Sequence, residues 1–94
     1  MKEELFYDAL LEGKIKPFDR VLLYTESSHL GVEYDYTEIT ILALDMRFLD
    51  KILIKYQINT GSSEGNKYWA NVNETFQDYY LFSVLKDENE MILS

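Results

Sequence analysis

The chain has no cysteine among its 94 residues. This absence excludes disulfide frameworks, zinc sites with thiolate ligands, iron–sulfur clusters and cysteine nucleophiles. Small secreted domains often depend on disulfides for stability, so their absence here favours a reducing compartment. We therefore expect a cytoplasmic protein.

Basic residues are also scarce, with 9 lysines and arginines against 17 acids and a formal net charge of −8. Nucleic acids and anionic membranes both require a basic surface on the protein that binds them. We therefore expect no direct contact with nucleic acid and none with a membrane. An acidic body attracts basic proteins instead, so the partner that the charge predicts is a basic protein.

Long apolar runs and catalytic motifs are missing as well. No apolar run approaches the length that a membrane span needs, and the first residues, MKEELFYDALLEGK, carry acids where a secretion signal carries positive charge. The single histidine, His29, follows two serines, but a catalytic triad is defined in space and not by adjacency. The chain also lacks a phosphate-binding loop, a dinucleotide fingerprint and a metalloprotease helix motif. We expect neither an enzyme nor a cofactor.

The residues that are present predict one folded domain covering 1–94. Hydrophobic residues make up 47% of the chain, which is enough for a single core at this length. The spacing of Leu5, Phe6, Ala9 and Leu10 predicts a helix that ends at Gly13. Strand patterns follow at 20–25, 32–44, 51–59 and 79–85, with a short edge strand at 91–93. The predicted fold is α+β, an N-terminal helix packed on an antiparallel sheet of about five strands.

Two segments need a closer interpretation. In the strand at 32–44, the apolar positions change parity between Tyr36 and Ile39, which predicts a bulge or bend near Thr37–Glu38. The second half of that strand is apolar on both faces, which is typical of a central strand. Residues 67–77 are ambiguous, because Asn71 or Asn73 could cap a short helix there.

Paired carboxylates offer one route to chemistry. Glu33 and Asp35 would share one face of a strand, about 7 Å apart. Two-carboxylate hydrolysis needs one of the two pKa values raised by burial, and this face has a solvated pattern. Together with Glu38 they could hold a divalent ion, but the spacing of a calcium-binding loop is absent. We predict no catalytic residues and no metal site.

Tyrosine is abundant, with eight copies. It combines a large apolar ring with a polar tip and is enriched at protein interfaces. The predicted partner-binding site joins tyrosines, the single tryptophan and neighbouring acids. Its members are Glu33, Tyr34, Asp35, Tyr36, Glu38, Tyr68, Trp69, Asp78, Asp87, Glu88 and Glu90.

Three alternatives stay open for these residues. Tyr34 and Tyr36 could line the buried face of a strand, Trp69 could be a core anchor beneath the 60–66 loop, and the acids could be scattered charges that only maintain solubility.

The leading hypothesis for function is a small acidic protein-binding module. It would act as an inhibitor, or as an immunity or counter-defence protein of phage or bacterial type. In that role it would occlude a basic, nucleic-acid-acting partner by presenting a surface that resembles a polyanion. One alternative is a structural or assembly subunit that forms a homo-oligomer through its tyrosine-rich strands. Another is a regulatory domain that binds a small ligand or a metal.

Overall fold

Five strands form one antiparallel sheet in a computed structural model that describes residues 3–27 and 33–85. The elements in chain order are α1 (Phe6–Leu11), β1 (Arg20–Ser27), β2 (Glu33–Asp45), β3 (Leu53–Ile58), β4 (Lys67–Asn71), α2 (Val72–Thr75) and β5 (Tyr80–Leu85). The strand order is β4-β3-β2-β1-β5, and each neighbouring pair is antiparallel. The architecture is therefore α+β with little helix. Neither helix of the described ranges is long and apolar enough to cross a membrane.

The sheet confirms most of the predicted strands. β1, β2, β3 and β5 match the four longer strand patterns, and β2 is the central strand. The remaining strand is β4, within the segment that was ambiguous in sequence, whereas the predicted strand at 91–93 lies outside the described residues. Asn71 ends β4 and caps α2, since its side-chain oxygen accepts a hydrogen bond of 2.9 Å from the backbone N–H of Asn73.

Of the bulge or bend predicted near Thr37–Glu38, the bulge is wrong. β1 and β2 pair without a register shift over residues 33–40 of β2. The irregularity in β2 lies further along, between Ile41 and Ala43 in the pairing with β3.

The change of apolar parity in β2 has a different cause. Ile39 and Ile41 are fully buried in the core, whereas Tyr34 and Tyr36 are exposed and contact rings on the other side of the sheet. The pairing with β1 continues without a shift from Tyr34 to Ile39, and the apolar residues move from one face of the strand to the other.

The core lies on one face of the sheet and includes residues from both helices. Its buried members are Phe6, Ala9, Leu10, Ile15, Val21, Leu23, Ile39, Ile41, Ile52, Ile54, Val72 and Phe76. The rings of Phe6 in α1 and Phe76, which follows α2, meet edge to face at 5.4 Å. We call the opposite side of the sheet the outer face.

The chain before α1 runs along the free side of β5. Leu5 forms an antiparallel bridge with Tyr80, and the N–H of Leu81 donates to the carbonyl of Glu4 at 2.8 Å. These bonds pair part of the β5 edge and hold the N-terminal segment along it.

Gly13 ends α1 as the sequence predicts. Its φ of +76° places it in the left-handed region. Its N–H donates to the carbonyl of Leu10 at 3.2 Å, and the N–H of Lys14 donates to that of Ala9 at 3.1 Å. This pair of bonds is a Schellman motif, which satisfies the last carbonyls of the helix.

Replacing Gly13 tests the importance of this helix end. Nothing lies within 4 Å of a Cβ built at Gly13, so Gly13→Ala acts through the backbone alone. We expect a loss of about 1–2 kcal/mol in the free energy of unfolding, measured in urea. Gly13→Asn should cost less, because asparagine tolerates this conformation better. Equal losses for the two variants would contradict the backbone explanation.

Candidate interaction surface on the outer face

Five aromatic side chains meet on the outer face, and we call them the tyrosine patch: Tyr24, Tyr34, Tyr36, Tyr80 and Phe82. Tyr24 is the centre of the patch. Its ring centroid lies 5.5 Å from that of Tyr34, 6.1 Å from Tyr36, 5.4 Å from Tyr80 and 6.3 Å from Phe82. Such ring pairs stabilise a sheet beyond the apolar area that they bury.

Strand register brings these rings together. Tyr24 of β1 pairs with Tyr36 of β2 on one side and with Tyr80 of β5 on the other, so three tyrosines form a row across the strands. The β1–β5 register shifts between Leu22 and Leu23, in the stretch of β5 that contains Phe82. The ring of Phe82 reaches the patch there and meets that of Tyr36 at 5.7 Å and 84°.

Three of the five rings are open to solvent. Tyr34 is 43% exposed, Tyr36 52% and Phe82 59%, while Tyr24 and Tyr80 are half-buried. The alternative that Tyr34 and Tyr36 line the buried face of a strand is therefore wrong. Contiguous exposed aromatic side chains are typical of a surface that binds something.

The surroundings of the patch are acidic. Desolvation by its neighbours raises the pKa of the Tyr24 hydroxyl, and the charges of Glu3 and Glu26 raise it further. Glu26 is exposed and lies opposite Tyr34 in the β1–β2 register. Glu38 lies two residues beyond Tyr36 on the same face of β2, so one carboxylate flanks each end of the patch.

Glu38 also belongs to a polar network on the outer face. The side-chain amide of Asn59 donates to Oε2 of Glu38 at 3.1 Å and to the hydroxyl of Thr40 at 2.7 Å. The guanidinium of Arg20 lies 3.9 Å from the same Oε2. The network borders an open cleft of about 410 Å³ that Gln57 and Glu64 help to line.

The other residues of the predicted site do not lie together with the tyrosine patch. Glu33 and Asp35 are exposed, but they lie on the face opposite Tyr34 and Tyr36, because successive residues of a strand alternate. Asp78 is exposed in the segment before β5, where its carbonyl accepts a hydrogen bond of 3.0 Å from the Thr25 hydroxyl. Three predicted members lie outside the described residues: Asp87, Glu88 and Glu90.

Tyr68 and Trp69 lie on β4, away from the tyrosine patch. Trp69 is 59% exposed, so the alternative of a core anchor is wrong. It pairs in register with Lys55, and two strands separate it from β1. Tyr68 lies on the other face, where its ring is 5.8 Å from that of Tyr56.

The three carboxylates considered for a metal ion do not converge. Glu33 and Asp35 share one face of β2, whereas Glu38 lies on the other. Within residues 3–27 and 33–85, no group of three or more histidine, aspartate or glutamate side chains could hold a metal ion.

A second group of acids lies beside α1, in a cleft of about 370 Å³. Lys14 partly neutralises it, since its ammonium is 2.8 Å from Glu4 and 3.0 Å from Glu12. Hydrogen bonds to these two carboxylates raise the pKa of Lys14. Lys14 therefore offsets two carboxylates of this cleft, as the longer contact with Arg20 offsets Glu38 beside the tyrosine patch.

The site predicted from the sequence does not include Tyr24, Tyr80 or Phe82. These residues lie within short apolar runs, which are typical of buried strands. The alternation of side chains in β1 could have identified Tyr24, because Val21 and Leu23 point into the core and Tyr24 must then lie on the outer face.

Phe82 and Tyr24 should differ in their contribution to stability. We expect Phe82→Ala to lower the free energy of unfolding by less than about 1 kcal/mol, because its ring is mostly exposed. Tyr24→Ala should cost about 2 kcal/mol or more, since it removes four ring contacts. Urea unfolding of both variants measures the difference, and a larger loss for Phe82→Ala would contradict this description of the patch.

No protein-family model matches the chain, and no curated protein and no solved structure shows significant similarity to it. Its function is therefore inferred from its own surface.

Proposed function

We propose that this chain is a non-enzymatic protein-binding module that contacts its partner through the tyrosine patch. The observation that carries the proposal is the patch itself, five aromatic rings in mutual contact with three of them open to solvent. Aromatic side chains supply much of the affinity in protein interfaces, because they bury large areas at a low cost in conformational entropy.

A basic protein is the partner that the charges favour. The net charge of −8 attracts a basic body from a distance, and Glu26 and Glu38 place carboxylates at both ends of the patch. Charge complementarity of this kind increases the association rate and rejects acidic partners.

The partner that fits this chemistry best is a protein that acts on nucleic acid. Such a protein has a basic surface built for phosphates, and an acidic module that covers the surface blocks it. The biological role would be that of an inhibitor, or of an immunity or counter-defence protein.

Self-association through the patch is a weaker candidate. Two copies placed patch to patch would bring Glu26 and Glu38 of one close to the same carboxylates of the other. Like charges across an interface cost several kcal/mol, on the order of the contribution of a good aromatic contact.

Affinity capture with matched baits tests the proposal. We expect immobilised wild-type protein to retain a basic protein that salt releases and that double-stranded DNA displaces. A bait carrying Tyr36→Ala and Phe82→Ala should lose that protein, because it lacks the two most exposed rings of the patch.

Phe48→Ala is the control bait, since Phe48 is 63% exposed and lies outside the patch in the β2–β3 connection. Mass spectrometry identifies the retained protein, and the pair is then reconstituted from purified components. Equal retention on the wild-type and double-variant baits, or retention of no basic protein, would contradict the proposal.

A further inference from the structure

We propose that the tyrosine patch selects arginine over lysine, and that its occupant is an arginine-rich segment of the basic partner. This inference rests on the proposed function and adds the chemistry of recognition. The guanidinium group would lie against Tyr36 and Phe82 and pair with the carboxylate of Glu38.

The two rings provide a surface for a planar cation. Tyr36 and Phe82 are both more than half exposed, and their planes meet at 84°. A cation is attracted to the face of an aromatic ring, and a guanidinium can also stack on that face because it is flat. An ammonium group is compact and strongly hydrated, so it gains less from the same rings.

Glu38 supplies the complementary charge. It follows Tyr36 by two residues on the same strand face, roughly 7 Å along β2. Both of its side-chain contacts, to Asn59 and to Arg20, use Oε2. In the part of the chain that the structure describes, Oε1 accepts no hydrogen bond. A stacked guanidinium keeps its N–H donors in its own plane, so it can contact the rings and this oxygen together.

Arg20 competes for the same carboxylate. Its guanidinium lies 3.9 Å from Oε2, and the side chains of Arg20 and Glu38 are 44% and 22% exposed, so the ion pair is long and partly solvated. An arginine from the partner would share Glu38 with Arg20 or displace it. Removing the charge of Arg20 should therefore strengthen the binding of a cationic segment.

The patch has room for a second cation. Glu26 lies beyond the row of tyrosines at the end opposite Glu38, about 13 Å away along the strand direction. An extended segment with arginines four residues apart spans that distance. The two carboxylates and the rings between them thus fit an extended, arginine-rich chain.

Two peptides of equal charge test this inference on the full chain. One is about twelve residues of alternating arginine and glycine, and the other replaces each arginine by lysine. We expect the arginine peptide to bind about 5–10-fold more tightly in isothermal titration calorimetry at low salt. The preference should fall below about twofold in the variant with Tyr36→Leu and Phe82→Leu, which keeps apolar side chains but removes both rings.

Two single variants test the roles of Glu38 and Arg20, and a third is a control. Glu38→Gln keeps an acceptor for Asn59 but loses the charge, and it should weaken the binding of the arginine peptide. Arg20→Gln should tighten that binding by about two- to fivefold. Phe48→Leu, outside the patch, should leave both affinities unchanged. If the double ring variant does not fold, Phe82→Leu alone decides the role of the rings.

The outcomes separate this inference from the proposed function. Equal affinities for the two peptides would contradict the selection of arginine over lysine but would remain consistent with a basic partner. Binding of neither peptide, or tighter binding of a single-stranded oligonucleotide than of either peptide, would contradict both proposals.

Discussion

The outer surface of this protein depends on one constraint, the alternation of side chains in a sheet whose core lies on one face. Every inward position in β1 and β2 requires outward neighbours. Leu23 in β1 and Ile39 in β2 are fully buried, so the residues on either side of each along its own strand lie on the outer face. The composition of the outer face follows from the residues that remain, and these are tyrosines and charged groups more than aliphatic side chains. The surface that we propose for binding is thus a consequence of how the core is built.

Tyrosine meets two requirements on such a face. It favours the extended backbone, and its hydroxyl remains compatible with water. Tyr24 contacts four other rings, so it contributes to the stability of three adjacent strands as well as to the surface. Phe82 has no polar group and is more exposed than Tyr24, so a contribution to stability alone does not explain an aromatic residue at this position.

Much of the fold could be predicted from the sequence, because periodicity reports which residues share a face. The helix ending at Gly13 and the central position of β2 both follow from such patterns. β4 could not be predicted, since its five residues pair with β3 but carry no clear alternation. The sequence predicts only part of the tyrosine patch. Acidic neighbours indicate Tyr34 and Tyr36, whereas their ring partners on β1 and β5 become adjacent only through strand register, which a single sequence does not specify.

The charge of the chain and the patch have separable roles in the proposed binding. Acids that neighbour tyrosines in the sequence do not all lie beside them in space. Glu33 and Asp35 lie on the opposite face of the sheet from Tyr34 and Tyr36. In the proposed complex, close contact would depend on few carboxylates, chiefly Glu26 and Glu38, together with the rings. The remaining acids would act at a distance, where charges raise the encounter rate and are screened by salt over about 8–10 Å. Contacts between rings and a partner are weakened little by salt, because they do not depend on charge. They would therefore govern the dissociation rate of the complex. An acidic sequence with an aromatic outer face is thus suited to rapid capture of a basic protein and slow release.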